Sequence, residues 1–232
     1  MDLFYLPALE GHHQEICFSE LESKHLTKVL RKQLGDLVKA TNGRGLEMEI
    51  ELTQLANRKT IGHNKGIKQH SPLPYSLHVA IAPTKNIGRL EWFLEKATEI
   101  GIHQITPLLC DHSERKIIKK ERLEKIIVAA LKQSQQCYLP HLNDLTPFQD
   151  FVINQPGGWI AHCHQEEKPF FFSVAKTTGA QTVLIGPEGD FSLSEVALAK
   201  ENNFQSISLG NQRLRTETAG LVACQTIAIK AQ

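Results

Sequence analysis

Along the first 60 or so residues, apolar positions come in short runs broken by turn residues. DLFYLP (2–7), EICFS (15–19), DLVKATN (36–42) and LEMEIELTQL (46–55) read as strands, and Asn42-Gly43-Arg44-Gly45 marks a Gly-rich turn between them. One stretch, LESKHLTKVLRKQLG (21–35), has helical spacing: Leu26, Val29 and Leu30 form an apolar stripe, and Gly35 is placed to stop the helix. Lys24, Lys28 and Arg31 then fall at i, i+4 and i+7 on another face. The pattern predicts a small β-barrel with one helix.

From 62 to 76 the chain reads GHNKGIKQHSPLPYS, polar and rich in Gly, Pro and His with no apolar period, which predicts a linker. It divides an N-terminal domain (1–70) from a C-terminal one (71–232). Beyond it the texture changes. Strand SLHVAIA (76–82) is followed by helix RLEWFLEKATEIG, with apolar positions Leu90, Phe93, Leu94, Ala97 and Ile100 and a closing Gly101. Then come strand IHQITPLL (102–109), helix ERLEKIIVAALKQS, strands GWIAHCH (158–164) and QTVLIG (181–186), helix LSEVALAKENN, strand FQSISLG (204–210) and a last helix from about 216. Strands alternating with helices predict an α/β domain, a parallel sheet covered on both faces.

Ligands of such sheets bind beyond the carboxyl ends of the strands, so the strand-to-helix turns are where chemistry is expected. Two stand out. In Ile185-Gly186-Pro187-Glu188-Gly189-Asp190-Phe191-Ser192, glycines and a proline expose backbone at a strand end, and Ser192 with Glu195 makes a capping box for the next helix. In Leu209-Gly210-Asn211-Gln212-Arg213-Leu214-Arg215-Thr216-Glu217, a glycine at a strand end leads through a charged turn into the last helix. Read blandly, each is a capped loop. A dinucleotide fold would place G-x-G-x-x-G in its first strand-to-helix turn; that turn here is Pro83-Thr84-Lys85-Asn86, and the glycine turns lie in the last 50 residues. This order disfavours nicotinamide-dependent oxidoreductases and the usual Rossmann methyltransferases.

LIGPEGDFS followed by LGNQRLRTETAG resembles the paired signature of the RsmE family, ribosomal RNA uridine N3-methyltransferases of the SPOUT superfamily. FLEKATEIGIHQITPLLCDHSERK (93–116), ALKQSQQCYLPHL (130–142) and HLTKVLRKQLGD (25–36) look like further family blocks in the right order, so the resemblance spans nearly the whole chain. It implies a PUA-like β-barrel followed by a SPOUT domain with a C-terminal trefoil knot, S-adenosyl-L-methionine (SAM) as methyl donor, and a homodimer. It also implies that Ile185, Gly186, Pro187, Glu188, Gly189, Leu209, Gly210, Leu214 and Thr216 hold the cofactor. The substrate implied is a uridine N3 of 16S rRNA within the small ribosomal subunit. Two departures stand out: Gln135-Gln136 where a glycine and then an arginine are frequent, and Asp190-Phe191 where a second glycine is frequent.

For uridine N3 the proton must be lost before or during attack, so Arg215 is the candidate to stabilise charge on the uracil oxygens and Glu217 the candidate base. The plain alternatives are an Arg215–Glu188 ion pair and a Glu217 that only favours the helix dipole. Lys24, Lys28, Arg31 and Arg115, the last in the basic stretch SERKIIKKERLEK (113–125), are the candidate RNA contacts, against a reading as solvated faces.

The bulk numbers limit rather than choose. A net charge of +1 means RNA affinity must come from such local patches, and 232 residues with 41% hydrophobic ones allow a sizeable core. The five cysteines are scattered with no CxxC, as reduced thiols are; His162-Cys163-His164 lies in a strand-like run with the two histidines on one face, and no metal site is expected. No membrane span and no signal segment is read in the sequence, and a cytoplasmic location is expected. A non-catalytic RNA-binding assembly factor is the rival reading from another class, and SAM titration separates the two.

Overall fold

The computed structural model describes residues 2–232. They form two compact units: one of residues up to Pro72 together with Leu131–Leu139, the other of Leu73–Ala130 and Pro140–Gln232.

The N-terminal unit contains β1 (Leu3–Tyr5), β2 (Glu15–Cys17), α1 (Glu20–Lys24), β3 (Leu37–Thr41), β4 (Leu46–Gln54) and β5 (Ile61–Gln69). The ladder runs β1-β3-β4-β5-β2, with β1 parallel to β3 and the other pairs antiparallel. β4 sets the inside of this sheet. Leu46, Met48, Ile50 and Leu52 alternate inward onto Phe4, Phe18, Leu26 and Val38, while Glu47, Glu49 and Glu51 stay half-buried.

Two expectations need correction here. The predicted linker is largely strand: β5 takes residues 61–69 and pairs along β4, and a side chain at Gly62 would collide with Ile50. Its residues looked like linker because most of its side chains are exposed, so backbone hydrogen bonds rather than an apolar face hold it. The predicted helix is also shorter. After α1 the chain makes one wide turn, His25–Val29, with Leu30 N donating to His25 O at 2.9 Å, and Arg31 follows at φ 52°. A wide turn shifts every later side chain around the axis. Val29 is therefore 68% exposed, and Lys24, Lys28 and Arg31 do not form one helical row. The helix stops before Arg31, not at Gly35.

Residues 131–139 join this unit although they follow a helix of the other. Gly45 N donates to Cys137 O at 2.8 Å and Leu139 N to Gly43 O at 2.9 Å, and Lys132 Nζ lies 2.9 Å from Glu22 Oε1.

The C-terminal unit begins with β6 (Tyr75–Ile81), α2 (Ile87–Ile100) and β7 (Gln104–Leu109), followed by α3 (Lys120–Ser134), whose last turn belongs to the N-terminal unit. It continues with β8 (His141–Leu142), β9 (Thr146–Pro147), α4 (Phe148–Ile153), β10 (Gly158–Ala161), α5 (Phe171–Val174) and β11 (Gly179–Ile185). The last elements are α6 (Leu193–Glu201), β12 (Phe204–Ile207) and α7 (Thr216–Lys230). All pairings are parallel, in the order β12-β10-β11-β6-β7-β8 with β9 on the far end of β7. Parallel strands need crossovers, and the helices supply them. Asn86 caps α2 by accepting from Gly88 N at 3.0 Å, Gly101 closes it in the left-handed region at φ 111°, and Leu90, Phe93, Leu94 and Ala97 are buried as the spacing predicts. α7 packs on α2 so closely that a Cβ on Gly220 would press on Phe93. The sheet reverses strand order between β6 and β11, which puts the carboxyl ends of β10, β11 and β12 side by side.

Candidate functional site

Those three strand ends, Ala161, Ile185 and Ile207, open into a cavity of about 770 Å³, within the range of small-molecule sites. Its wall takes in Ile185, Gly186, Pro187, Glu188, Leu209, Gly210, Leu214, Arg215 and Thr216, all anticipated from the sequence. Gly189 and Glu217, also anticipated, are not part of it.

The turn after β11 is held from several sides. Thr216 Oγ1 donates to Gly186 O at 3.0 Å, and Lys85 N donates to Glu188 Oε1 at 3.0 Å. His112 Nδ1 lies 3.1 Å from Gly189 O and 3.0 Å from Asp190 O, so this nitrogen must be the donor. A Cβ on Gly189 would come within 3.0 Å of His112, which accounts for a glycine that faces away from the cavity. The capping box of α6 is present: Ser192 Oγ accepts from Glu195 N, and Glu195 Oε2 from Ser192 N at 2.8 Å. Asp190-Phe191 is accommodated by the turn itself. Asp190 adopts φ 65°, a conformation that aspartate tolerates, and its carboxylate accepts from Phe191 N at 2.9 Å and Cys163 N at 2.7 Å. Phe191 turns fully into the core beside Phe148 and adds no bulk to the cavity.

The turn after β12 is held by little. Ser208 Oγ bridges to Gly210, donating to its carbonyl at 3.1 Å, and Gly210 sits at φ 140° with nothing within 4 Å of where a Cβ would be. Asn211, Gln212, Arg213 and Arg215 are exposed, and among the described residues their side chains have no hydrogen-bond or ion-pair partner. The expected alternative of an Arg215–Glu188 pair is thus not formed, since Glu188 is taken by Lys85 N. Arg215 stands at the N-cap of α7 on the cavity wall.

Glu217 is the clearest correction. In the first turn of α7 it is buried, facing α2, with Oε1 3.9 Å from Arg89 Nε and Oε2 without a hydrogen-bond partner among the described residues. The helical turn that keeps Arg215 and Thr216 on the wall carries residue 217 away from it.

Sequence reasoning missed the loop after β10: His162, Cys163 and Lys168 line the cavity, as does Asp190. His162 is buried, with Nε2 3.0 Å from both Glu166 Oε1 and Ser206 Oγ, and Lys168 Nζ donates to the carbonyls of His162 and His164 at 2.7 Å. Burial first, and Lys168 second, push the His162 pKa below its usual 6.5, so the ring is neutral at pH 7. Glu166 is lowered to about 2, chiefly by its hydrogen bond with Lys200. The His-Cys-His run is therefore a braced loop and not a strand face; the strand ends at Ala161. The available signal was the strand-end rule itself, applied to β10 as it was to β11 and β12.

Of the candidate RNA contacts, Lys24 pairs with Glu20 at 2.6 Å, and Lys28 and Arg31 are exposed with no side-chain partner among the described residues. Arg115 is engaged by backbone, donating from Nε to Thr84 O at 3.0 Å and from a terminal nitrogen to Lys85 O at 2.6 Å. It braces the β6–α2 loop, whose Lys85 N in turn holds Glu188.

Comparison with known proteins agrees with this arrangement. The family described as RNA methyltransferase domain matches residues 71–228, and that described as RNA methyltransferase PUA domain matches 20–61. Ribosomal RNA small subunit methyltransferase E of Synechocystis is 32% identical over 214 residues, covering 88% of this chain and 69% of the relative; that of Rickettsia conorii is 29% identical, covering 90% and 89%. Among solved structures, a probable rRNA-methyltransferase of Porphyromonas gingivalis is 37% identical, covering 97% of this chain and 96% of its own, with a TM-score of 0.88. A protein of Legionella pneumophila, solved in complex with bound SAM, is 25% identical, covering 97% of this chain and 96% of its own, with a TM-score of 0.86. The chain belongs to the ribosomal RNA small subunit methyltransferase E family, and is an rRNA methyltransferase with a PUA-like N-terminal domain.

Proposed function

We propose that this enzyme uses SAM to methylate N3 of one uridine of 16S rRNA in the small ribosomal subunit, working in the cytoplasm as a homodimer. The observation that carries the reading is the cavity at the three strand ends, with the guanidinium of Arg215, unpartnered among the described residues, on its wall. The residues present fit SAM. Ile185, Leu209 and Leu214 offer apolar surface, Gly210 leaves the backbone open, and the turns 186–188 and 208–210 present peptide groups. Bound there, SAM supplies an electrophilic methyl group on a sulfonium, and the protein's task is to place a nucleophile in line with it.

The target uracil must leave its base pair, because N3 is the pairing nitrogen and carries the proton to be lost. Arg215, charged and unpaired, stabilises the negative charge that spreads to the uracil oxygens as that proton leaves. The other members of the wall position: Thr216 ties the two turns together, and Glu188 and Asp190 anchor the first turn through Lys85 and Cys163. Lys28 and Arg31 contact phosphates, with Lys24 in a lesser role behind its pairing to Glu20. Arg115 acts by holding the β6–α2 loop. The dimer is supported by α7, where Leu221 and Val222 are only half-buried and Ile229 is 52% exposed. The trefoil knot implied by the sequence resemblance is part of the same reading, and the Thr216–Gly186 bond between the two turns accords with it.

The test is methylation of small subunits from a strain lacking the enzyme, with the product mapped by mass. One methyl on N3 of a single uridine is expected. Methylation at carbon or ribose would overturn the assignment, and a monomer mass by light scattering at micromolar concentration would remove the dimer.

A further inference from the structure

A second group of ligating side chains lies in the N-terminal unit. Glu47 on β4, His70 just past β5 and Cys137 in the 131–139 segment bring a carboxylate oxygen, an imidazole nitrogen and a sulfur within 4.8 Å of one another. Glu47 Oε2 is 3.2 Å from His70 Nε2 and 3.8 Å from Cys137 Sγ. Zinc bonds of about 2.0 Å to nitrogen and oxygen and about 2.3 Å to sulfur give tetrahedral edges of roughly 3.3 Å for N···O and roughly 3.5 Å for S···O. Both measured edges fall close to these.

The three groups are also fixed in place. His70 N donates to Gly45 O and Gly45 N to Cys137 O, each at 2.8 Å, and Tyr138 OH donates to His70 O at 2.9 Å. Lys39 Nζ holds the other carboxylate oxygen of Glu47 at 2.8 Å and leaves Oε2 turned towards the histidine and the thiol, as outer partners do for metal-ligating carboxylates. Side-chain exposures of 15% for Glu47 and 30% for His70 leave a path for an ion and a water.

We propose that Glu47 Oε2, His70 Nε2 and Cys137 Sγ bind one zinc-class divalent cation, with water as fourth ligand, and so tie residues 131–139 to β4 and β5. On binding, the Cys137 S–H bond breaks, its proton goes to solvent, and the sulfur–metal bond forms. Thiolate and carboxylate then balance the two charges of the ion. Lys39, and Lys68 across the strand from Glu47, are nearby charges that oppose it.

The test uses the full chain, reduced and stripped with a chelator, titrated with Co²⁺ and then Zn²⁺. We expect one equivalent of Co²⁺ to give sulfur-to-cobalt charge-transfer absorption and the intense visible bands of tetrahedral cobalt, both displaced by Zn²⁺. Cys137→Ser should abolish the charge-transfer band, and both it and His70→Asn should weaken cobalt binding roughly tenfold or more. Cys17→Ser, at an exposed cysteine of the same unit outside the cluster, should change neither. A six-coordinate cobalt spectrum without charge transfer in the wild type would overturn the site, whether or not either variant folds. So would wild-type cobalt affinity in both cluster variants, and the three groups would then be an ion-pair cluster around Lys39.

Discussion

The two turns that form the cavity wall are built in opposite ways. The 186–192 turn is braced by Thr216, Lys85, His112, Cys163 and its own capping box, and it buries Phe191 completely. The 208–215 turn has the Ser208 bridge and then four exposed polar or charged residues with no side-chain partners among the described residues. One wall is preorganised before anything binds. The other keeps its hydrogen-bonding capacity free, which under the proposed function suits a surface that meets both a cofactor and a flipped base, with Arg215 able to answer charge without first breaking an ion pair.

Arg215→Ala is the sharpest test of that contrast. If the guanidinium acts only as the uridine loses its proton, single-turnover methylation should slow by roughly a hundredfold or more while SAM affinity stays close to wild type. A near-wild-type rate would move the charge-stabilising role away from the open turn. Rate and affinity falling together would make Arg215 a cofactor ligand.

The next effect separates the turns by what a side chain meets. At Gly186 a Cβ would lie 3.1 Å from the Phe191 ring, in a turn with no room to shift, so Gly186→Val should lower stability by about 1–3 kcal/mol as well as SAM affinity. At Gly210 a Cβ meets nothing within 4 Å, but φ 140° is a conformation that valine resists. Gly210→Val should therefore weaken SAM binding about tenfold through a displaced turn, with little change in melting temperature. Calorimetry alongside thermal melts checks both. Equal losses of stability in the two variants would erase the distinction between braced and open walls.

The same contrast explains what the sequence could disclose. The alternating elements, the buried stripe of α2, the Ser192–Glu195 box and two of the three turns on the cavity wall follow from local patterns, because strand ends and caps are written in adjacent residues. The linker reading failed on β5, whose side chains face water and whose support is the β4 ladder. The helical row of Lys24, Lys28 and Arg31 failed on one wide turn that leaves no mark in the spacing. The bracing of the 186–192 turn was invisible because His112, Lys85 and Cys163 come from three other loops. Asp190-Phe191 stood out only as a departure from glycine, and neither the φ of 65° at Asp190 nor the burial of Phe191 is marked in the local pattern.

A smaller effect is expected at the N-terminal unit, where Lys28 and Arg31 are exposed and, among the described residues, have no side-chain partners, though they do not form a row. Replacing both with alanine should reduce the salt slope of binding to small subunits by up to about two, one for each phosphate that is no longer neutralised, and leave SAM affinity unchanged. An unaltered slope would mark these side chains as solvated and shift the phosphate-binding role to other lysines of that unit.

Glu217 should give the smallest effect on turnover, and its value lies in what it excludes. A general base in this reaction would be worth about a hundredfold or more, with a rate defect that changes with pH. The carboxylate, however, lies off the cavity wall, one oxygen 3.9 Å from Arg89 Nε and the other without a hydrogen-bond partner among the described residues. Glu217→Gln keeps the shape of the residue and removes the charge. It should leave single-turnover methylation within about twofold of wild type across the pH range, since no proton passes through it. Stability should change by less than about 1 kcal/mol, because the favourable charge at the start of α7 is lost while a buried, poorly paired carboxylate is relieved. Arg89→Gln should act on stability in the same measure, and the double variant should then show coupling between the two positions rather than additive losses. A methylation defect in Glu217→Gln that deepens towards low or high pH would put the proton path along α7, and the cavity wall as drawn from β10, β11 and β12 would have to extend to the first turn of that helix.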